Sequence, residues 1–384
     1  TGLTAGSKSW FYTSVDRCRT WSGPFKIPMF DQLGIAARTD WIVESAESAT
    51  LLLTATKPDG GEAPRILKIL TVICMFLFFR KMVAKYGNDF ENILFGSWAI
   101  FFSILIIDII FEIIFGFNTI GIKSIIPGRI ASFFGNELVV GSFFLGFASI
   151  YVATIAKFSK KNINLKLIFL IIFLISLSFL IGERSNFIKF FTIIFLFTIV
   201  IYKKKILNYL VVFITLILVL YGLLLKNENL KYRYLDQINY SKISESLYFQ
   251  HYKSAISVYK ENPYFGVGIK NFRNEIVKEK YISNKDWNNR HIISTHPHQI
   301  NFEILTETGI FGFLCYLIFF LLSFFKTSKI YFKNKNVFLL SALLFCLIYL
   351  NPILPSGSFF TTYSATIFWM NFALMITFAK YIKK

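Results

Sequence analysis

Four cysteines, four histidines and 22 acidic residues among 384 leave this chain short of the side chains that build disulfides, metal centres and acidic surfaces. Cys74, Cys315 and Cys346 fall inside apolar runs and Cys18 stands alone near the start. No disulfide framework or Cys-x-x-Cys metal site is visible in that spacing. Asp108 and Glu112 are the only clear acids within a span. A proton-coupled transporter or flippase would place ionisable residues deep in several helices, and broken-helix repeats are not apparent either, so that class stands as the less favoured alternative. Against 41 Lys and Arg, the shortage of acids leaves a formal charge of +19, a balance that can mark a nucleic-acid binder. Here most of the Lys lies in short runs between apolar segments, as the positive-inside rule requires, so no nucleic-acid partner is expected.

What the chain has in excess is apolar surface: 55% hydrophobic residues, 46 of them Phe. No soluble domain hides that much, so the expected class is an all-α integral membrane protein. Runs near 20 residues, some shorter, give about nine transmembrane helices: 66–80, 92–117, 138–157, 165–181, 187–202, 206–225, 303–325, 337–351 and 359–379. If the Lys-rich connectors are cytoplasmic, the alternate connectors (118–137, 182–186, 226–302 and 352–358) share the opposite face. That face carries all four histidines (His251, His291, His296, His298), the turn Gly182–Asn186 and the loop Pro127–Glu137. In a bacterial cell it is the periplasm, or the exterior where there is one membrane. Segment 226–302 is too long for a plain connector and reads as one large, partly helical periplasmic loop. A helix there, with Leu247, Ala255, Ile256 and Tyr259 at helical spacing, stops at Asn262-Pro263. The Gly-Val-Gly at 266–268 is a turn without the third glycine of a dinucleotide fingerprint.

Residues 1–65 do not match the rest, being rich in Thr, Ala, Gly and Ser and holding three of the 46 Phe. The chain starts at Thr1, with no initiator Met and no signal-peptide pattern, so this segment is expected to be truncated or chimeric, its upstream helices missing. A small soluble head is the competing reading. KPDGGEAP, at 57–64, reads as a linker or disordered tail. The membrane domain is placed at 66–384.

The densest chemistry lies in HIISTHPHQINFEILTETGIFG, from His291 to Gly312, where a polar loop passes into an apolar helix. With the helix starting near His298, Gln299, Glu303 and Glu307 share one stripe and Ile300 and Ile304 another. Two carboxylates one turn apart repel unless a cation or proton separates them, though they could equally mark the interfacial end of a helix. Gly309 and Gly312 would let a neighbouring helix approach. For His296 and His298 the readings are a general base, a structural hydrogen-bonded imidazole, or a metal site, for which no third ligand is close. Arg129 and Arg184 sit in glycine-bearing turns outside the membrane. They either snorkel to lipid phosphates or form a fork for a diphosphate, which Arg binds bidentately without losing its charge. Lys270, Arg273 and Arg290 would extend that basic surface.

HPHQINFEILTETGIFG resembles the signature of the O-antigen ligase and O-antigen polymerase superfamily, a His and short polar run followed by Glu-x-Gly-x-x-Gly. PGRIASFFGNELVVGSF, GERSN and NPYFGVGIKNF resemble three further blocks of that family, in the same order, and the similarity covers about 66–384. It implies a membrane glycosyltransferase that moves a glycan from an undecaprenyl diphosphate carrier to an acceptor hydroxyl on lipid A-core or another glycan, without metal or cofactor, in the bacterial inner membrane. The resemblance places the key histidine at His298, with His296 adjacent, and diphosphate-binding arginines at Arg184 and Arg129. It implies inversion at the anomeric carbon, with Glu303 orienting the histidine or pairing with an arginine, and membrane lipids around the polyprenyl tail. A ligase is favoured slightly over a polymerase. One departure is that SLYFQHYKSA offers His251 and Lys253 where the family usually has an arginine.

Overall fold

The computed structural model describes residues 6–14, 19–43, 49–55, 67–137, 139–158, 165–236, 247–278, 281, 294–360 and 362–381. They divide into two units, Thr1–Thr71 and Val72–Lys384. In the first, β1 (Trp10–Thr13) pairs antiparallel with β2 (Ser22–Lys26), and β3 (Ile35–Val43) with β4 (Ala49–Ala55). Phe11 and Phe25 face each other across the first hairpin, ring centroids 5.3 Å apart. The all-α expectation is corrected here: Thr- and Ala-rich alternation pairs as strands in this segment. KPDGGEAP lies outside the described residues.

The second unit is helical. α1 (Leu67–Phe115) absorbs two of the expected spans into one helix that turns at Gly87, whose backbone (φ 50°, ψ −125°) leaves helical space. It is followed by α2 (Val140–Phe158), α3 (Leu165–Leu180), α4 (Arg184–Ile201) and α5 (Ile206–Lys226). Then come α6 (Glu228–Lys231), α7 (Leu247–Glu261), α8 (Phe272–Glu275), α9 (Ile300–Asn334), α10 (Val337–Tyr349) and α11 (Thr362–Tyr381). Among the described residues five helices are long and apolar enough to cross a membrane: 95–115, 140–157, 184–201, 206–226 and 300–334. Three more apolar helices, 167–180, 337–349 and 365–380, are shorter. α10 is the hub, packed by α2, α4, α9 and α11. Its residues from Phe338 to Cys346 are buried all round, as an apolar helix without a polar face demands. Stacked rings such as Phe95 on Phe338, 4.2 Å between centroids, fill the contacts.

Two local devices shape the site. Asp108 and Glu112, both nearly fully buried in α1, hold the loop that follows it. Glu112 accepts the Ala131 and Ser132 amides at 2.9 and 2.6 Å, and Asp108 accepts the Ser132 hydroxyl at 2.6 Å and the Thr119 amide at 2.9 Å. These intramembrane acids anchor backbone donors, which would otherwise be costly to bury.

The second device is a break in α9 at Gly309 (φ 66°, ψ −171°), backbone that essentially only glycine adopts. The turn 262–268 docks into it: Ile310 donates to the Pro263 carbonyl at 2.8 Å, Val267 to Thr306 at 3.0 Å and Gly268 to Glu307 at 2.9 Å. What approaches Gly309 is therefore backbone of a turn, where a helix was expected. α7 stops at Glu261 beside Asn262-Pro263 as its spacing implies, but its buried face is His251, Ser254, Ala255 and Val258, while Leu247 and Ile256 are exposed. Ala255 and Val258 pack on Phe272 and Ile276 in a small separate core.

Candidate active site

The turn between α3 and α4 is tight because Gly182 sits at φ 79°, and a Cβ there would run into the Gly128 carbonyl oxygen. Ile130 donates to the Ile181 carbonyl at 3.1 Å, so the loop held by Asp108 and Glu112 lies on this turn. Arg129 and Arg184 are thereby brought together. Arg129 pairs with Glu183 at 3.0 Å. Glu183 also takes the Gly141 amide at 3.0 Å and the Asn186 side chain at 2.6 Å, tying the starts of α2 and α4 to the same carboxylate. A third guanidinium, Arg233, reaches in from the turn after α6 and donates to the Gly182 carbonyl at 3.1 Å. Burial, then the neighbouring Arg129 and Arg184 charges, lowers the Arg233 pKa. Three guanidiniums with one carboxylate form a site with an excess of cation, suited to a multiply charged anion.

The second cluster is imidazole. His298 is a non-glycine residue at φ 55°, and its carbonyl receives the Ser356 amide at 2.8 Å. The His298 ring lies 4.2 Å from His296 and 4.9 Å from His251, which α7 buries, and Tyr248 meets it edge-on at 5.9 Å. Burial, and secondarily the neighbouring His251, pushes the His298 imidazole down to about 4. Burial pushes His296 down to about 3, with His298, His251, Arg273 and Lys270 adding to it. Both are neutral at pH 7 and able to accept a proton. Nδ1 of His296 lies 3.1 Å from the Thr295 hydroxyl, and its buried Nε2 has no hydrogen-bond partner among the described residues. No three His, Cys, Asp or Glu side chains are grouped as metal ligands among the described residues.

These shifts carry a stability consequence. The folded state binds fewer protons than the unfolded chain between the ordinary pKa of 6.5 and the lowered values, so stability is complete above the former and declines as pH falls through that window. The melting temperature in detergent is expected to drop between about pH 7 and about pH 5, a slope that the double variant His296→Ala, His298→Ala should flatten.

The remaining sequence-read residues fall in different places. Gln299 caps α9, taking the Asn301 and Phe302 amides. Glu303, buried, accepts the Ser358 hydroxyl and the Phe359 amide, the latter at 2.6 Å. Glu307 accepts the Lys270 amide at 2.5 Å. The two carboxylates are thus drawn to different backbone segments. Arg273 is exposed on α8, in the field of His296, while Arg290 and His291 lie outside the described residues. Arg233, Tyr248 and Glu183 were missed: Glu183 stood inside the quoted GERSN turn, but nothing in the spacing connected Arg233 to Gly182.

The two clusters are linked twice. Tyr248 touches His298 and its charge field acts on Arg233. Ser185, next to Arg184, donates to the Pro355 carbonyl at 2.8 Å, and Ser356 donates to His298. The arrangement offers anion binding and proton acceptance side by side, on loops at helix ends.

Residues 167–317 match the family model described as O-antigen ligase, from α3 through the GERSN turn and α7 to the break in α9. No curated protein matches the chain. The matched stretch contains Arg184, Arg233, His251, His296, His298 and Glu303, and it leaves Arg129 and the 351–359 segment outside. With five helices among the described residues long and apolar enough to span a bilayer, this chain is a multi-pass membrane protein whose residues 167–317 are similar to the O-antigen ligase family.

Proposed function

We propose that this chain transfers a glycan from an undecaprenyl diphosphate carrier to a hydroxyl of lipid A-core at the periplasmic face of the bacterial inner membrane, inverting the anomeric carbon without a metal. The observation that supports it most is the juxtaposition of the Arg129, Arg184 and Arg233 cluster with the His298 cluster, through Tyr248 and through Pro355-Ser356. The donor already carries a good leaving group, so the protein has two tasks: to take the acceptor proton and to hold the departing diphosphate. His298 accepts the proton from the acceptor O–H. The oxygen forms the new bond to the anomeric carbon from the face opposite the carrier, and the bond to the diphosphate breaks with its electrons. Arg184, Arg129 and Arg233 stabilise the charge that develops there. Glu303 acts as a positioning residue, since it fixes the segment that carries Ser356. Arg273 and Arg290 add positive charge for the diphosphate, and the apolar helices hold the polyprenyl tail.

Complementation decides the acceptor. Expression in one host lacking its O-antigen ligase and another lacking its polymerase, each beside His298→Ala, should give glycan on lipid A-core in the first host only, lost in the variant. Chain extension confined to the second host would make the protein a polymerase. Arg184→Lys keeps the charge but loses the bidentate fork, so transfer is expected to fall at least about tenfold, the worth of a charge-assisted hydrogen bond. Donor titration of that variant in isolated membranes checks it; unchanged donor dependence would remove Arg184 from the diphosphate site.

A further inference from the structure

Lys189 is a lysine on the inner face of α4, only 1% exposed, in a helix whose neighbours are almost all apolar. A buried ammonium is costly unless something specific holds it. Its Nζ donates to the Pro355 carbonyl at 2.7 Å and lies 5.3 Å from the Tyr349 ring centroid. The same carbonyl already receives the Ser185 hydroxyl at 2.8 Å, so a neutral donor satisfies it without the lysine. The lysine is a second donor added to an adequate hydrogen bond, and in a low-dielectric interior each such bond is stronger than it would be in water.

What Pro355 belongs to gives the contact its meaning. The segment 350–359 between α10 and α11 is bonded along its length to the start of α9. Gln299 donates to the Asn351 carbonyl at 3.0 Å, Asn301 to the Leu350 carbonyl at 3.3 Å and the Ile300 amide to the Ser356 hydroxyl at 3.0 Å. Ser356 in turn donates to the His298 carbonyl at 2.8 Å, and Glu303 takes Ser358 and Phe359. On its other side the segment meets α4 through the Pro355 carbonyl, one residue from Ser356, and the donors there are Ser185, adjacent to Arg184, and Lys189, one turn further on. The strap therefore joins the element that carries His298 to the helix that begins with Arg184, and its attachment to α4 at Pro355 is that one carbonyl.

We propose that Lys189 is a positioning residue: by pinning the Pro355 carbonyl to α4 it holds His298 at one spacing from Arg184, so that proton acceptor and anion site serve one substrate. This rests on the reading of His298 as base and Arg184 as part of the diphosphate site. Lys189 touches neither substrate nor the reacting atoms.

The test uses the full chain with Lys189→Met, which keeps the length and removes the donor, beside Ser185→Ala, the double variant and His298→Ala. Hydrogen exchange of the 351–358 amides should accelerate at least about tenfold in Lys189→Met while the α10 amides keep their protection. Turnover should fall about tenfold or more, because a misplacement near 1 Å is enough for that, with donor KM nearly unchanged and the melting temperature held. Because both donors act on one carbonyl, Ser185→Ala and Lys189→Met should combine non-additively. Turnover that stays at the parent level in Lys189→Met, or that falls only in step with the melting temperature, overturns the proposal. His298→Ala separates the two readings: if it stays active the base assignment has failed, whereas a silent His298→Ala beside a fully active Lys189→Met rejects the strap alone.

Discussion

Glycan transfer by His298→Ala is expected to fall by about 10²–10⁴-fold, the range for loss of a positioned general base. The donor site should survive, since no arginine contact passes through that side chain. His296→Ala is the comparison, because its ring packs at 4.2 Å and its Nε2 is buried without a partner among the described residues. A larger loss in His296→Ala would move the base there. The pH profile adds an independent check. A base must be neutral, and burial holds the His298 imidazole down to about 4. Turnover should therefore be flat through neutral pH and decline only as pH falls through about 4, where an ordinary imidazole would titrate near 6.5. An acid limb near the ordinary value would mean that the titrating base is a solvated histidine and not this one.

Gly309→Ala is expected to have a large effect on the folding of the membrane domain. The backbone at Gly309 (φ 66°, ψ −171°) costs about 1–3 kcal/mol for any other residue. The new Cβ would also collide with the Tyr264 carbonyl and come 2.5 Å from the Phe265 amide, backbone atoms that cannot swing aside. Relief requires the 262–268 turn to leave α9, with loss of the bonds from Val267, Gly268 and Ile310. Those bonds seat the turn from which Lys270 reaches Glu307. The variant should show a lowered melting temperature together with fast amide exchange over 262–278, and near-parental values for both would contradict the docking described here. Gly312→Ala makes a useful contrast, since the nearest obstacle to its Cβ is a side chain, that of Thr308 on the same helix.

The helices were legible because a bilayer leaves few solutions for apolar runs of this length, and the residues 167–317 that match the O-antigen ligase model contain three of the four blocks quoted from the sequence, the one at 127–143 lying outside. Other features were not. The strands of the first unit pair across short irregular stretches, which composition alone read as a truncated or chimeric segment. α7 exposes Leu247 and Ile256 and buries His251, since its inner face meets His298 as well as the small core of Phe272 and Ile276. Asp108 and Glu112 read only as the clear acids within a span, and they prove to be anchors for the Ala131 and Ser132 amides and the Ser132 hydroxyl of the following loop, a separation no periodicity spans.

By itself the sequence determined that this is a helical membrane protein with its histidines and two glycine-flanked arginines in connectors, because hydropathy and local turn chemistry act over neighbouring residues. Tertiary structure alone decided that Arg233 joins Arg129 and Arg184, that His251 and His296 flank His298, and that Lys189 clamps the strap at Pro355. The physical reason is that Arg233, His251 and Lys189 each meet groups far along the chain, which come together only when packed helices bring their ends together, while the approach of His296 to His298 is set by how their loop is held.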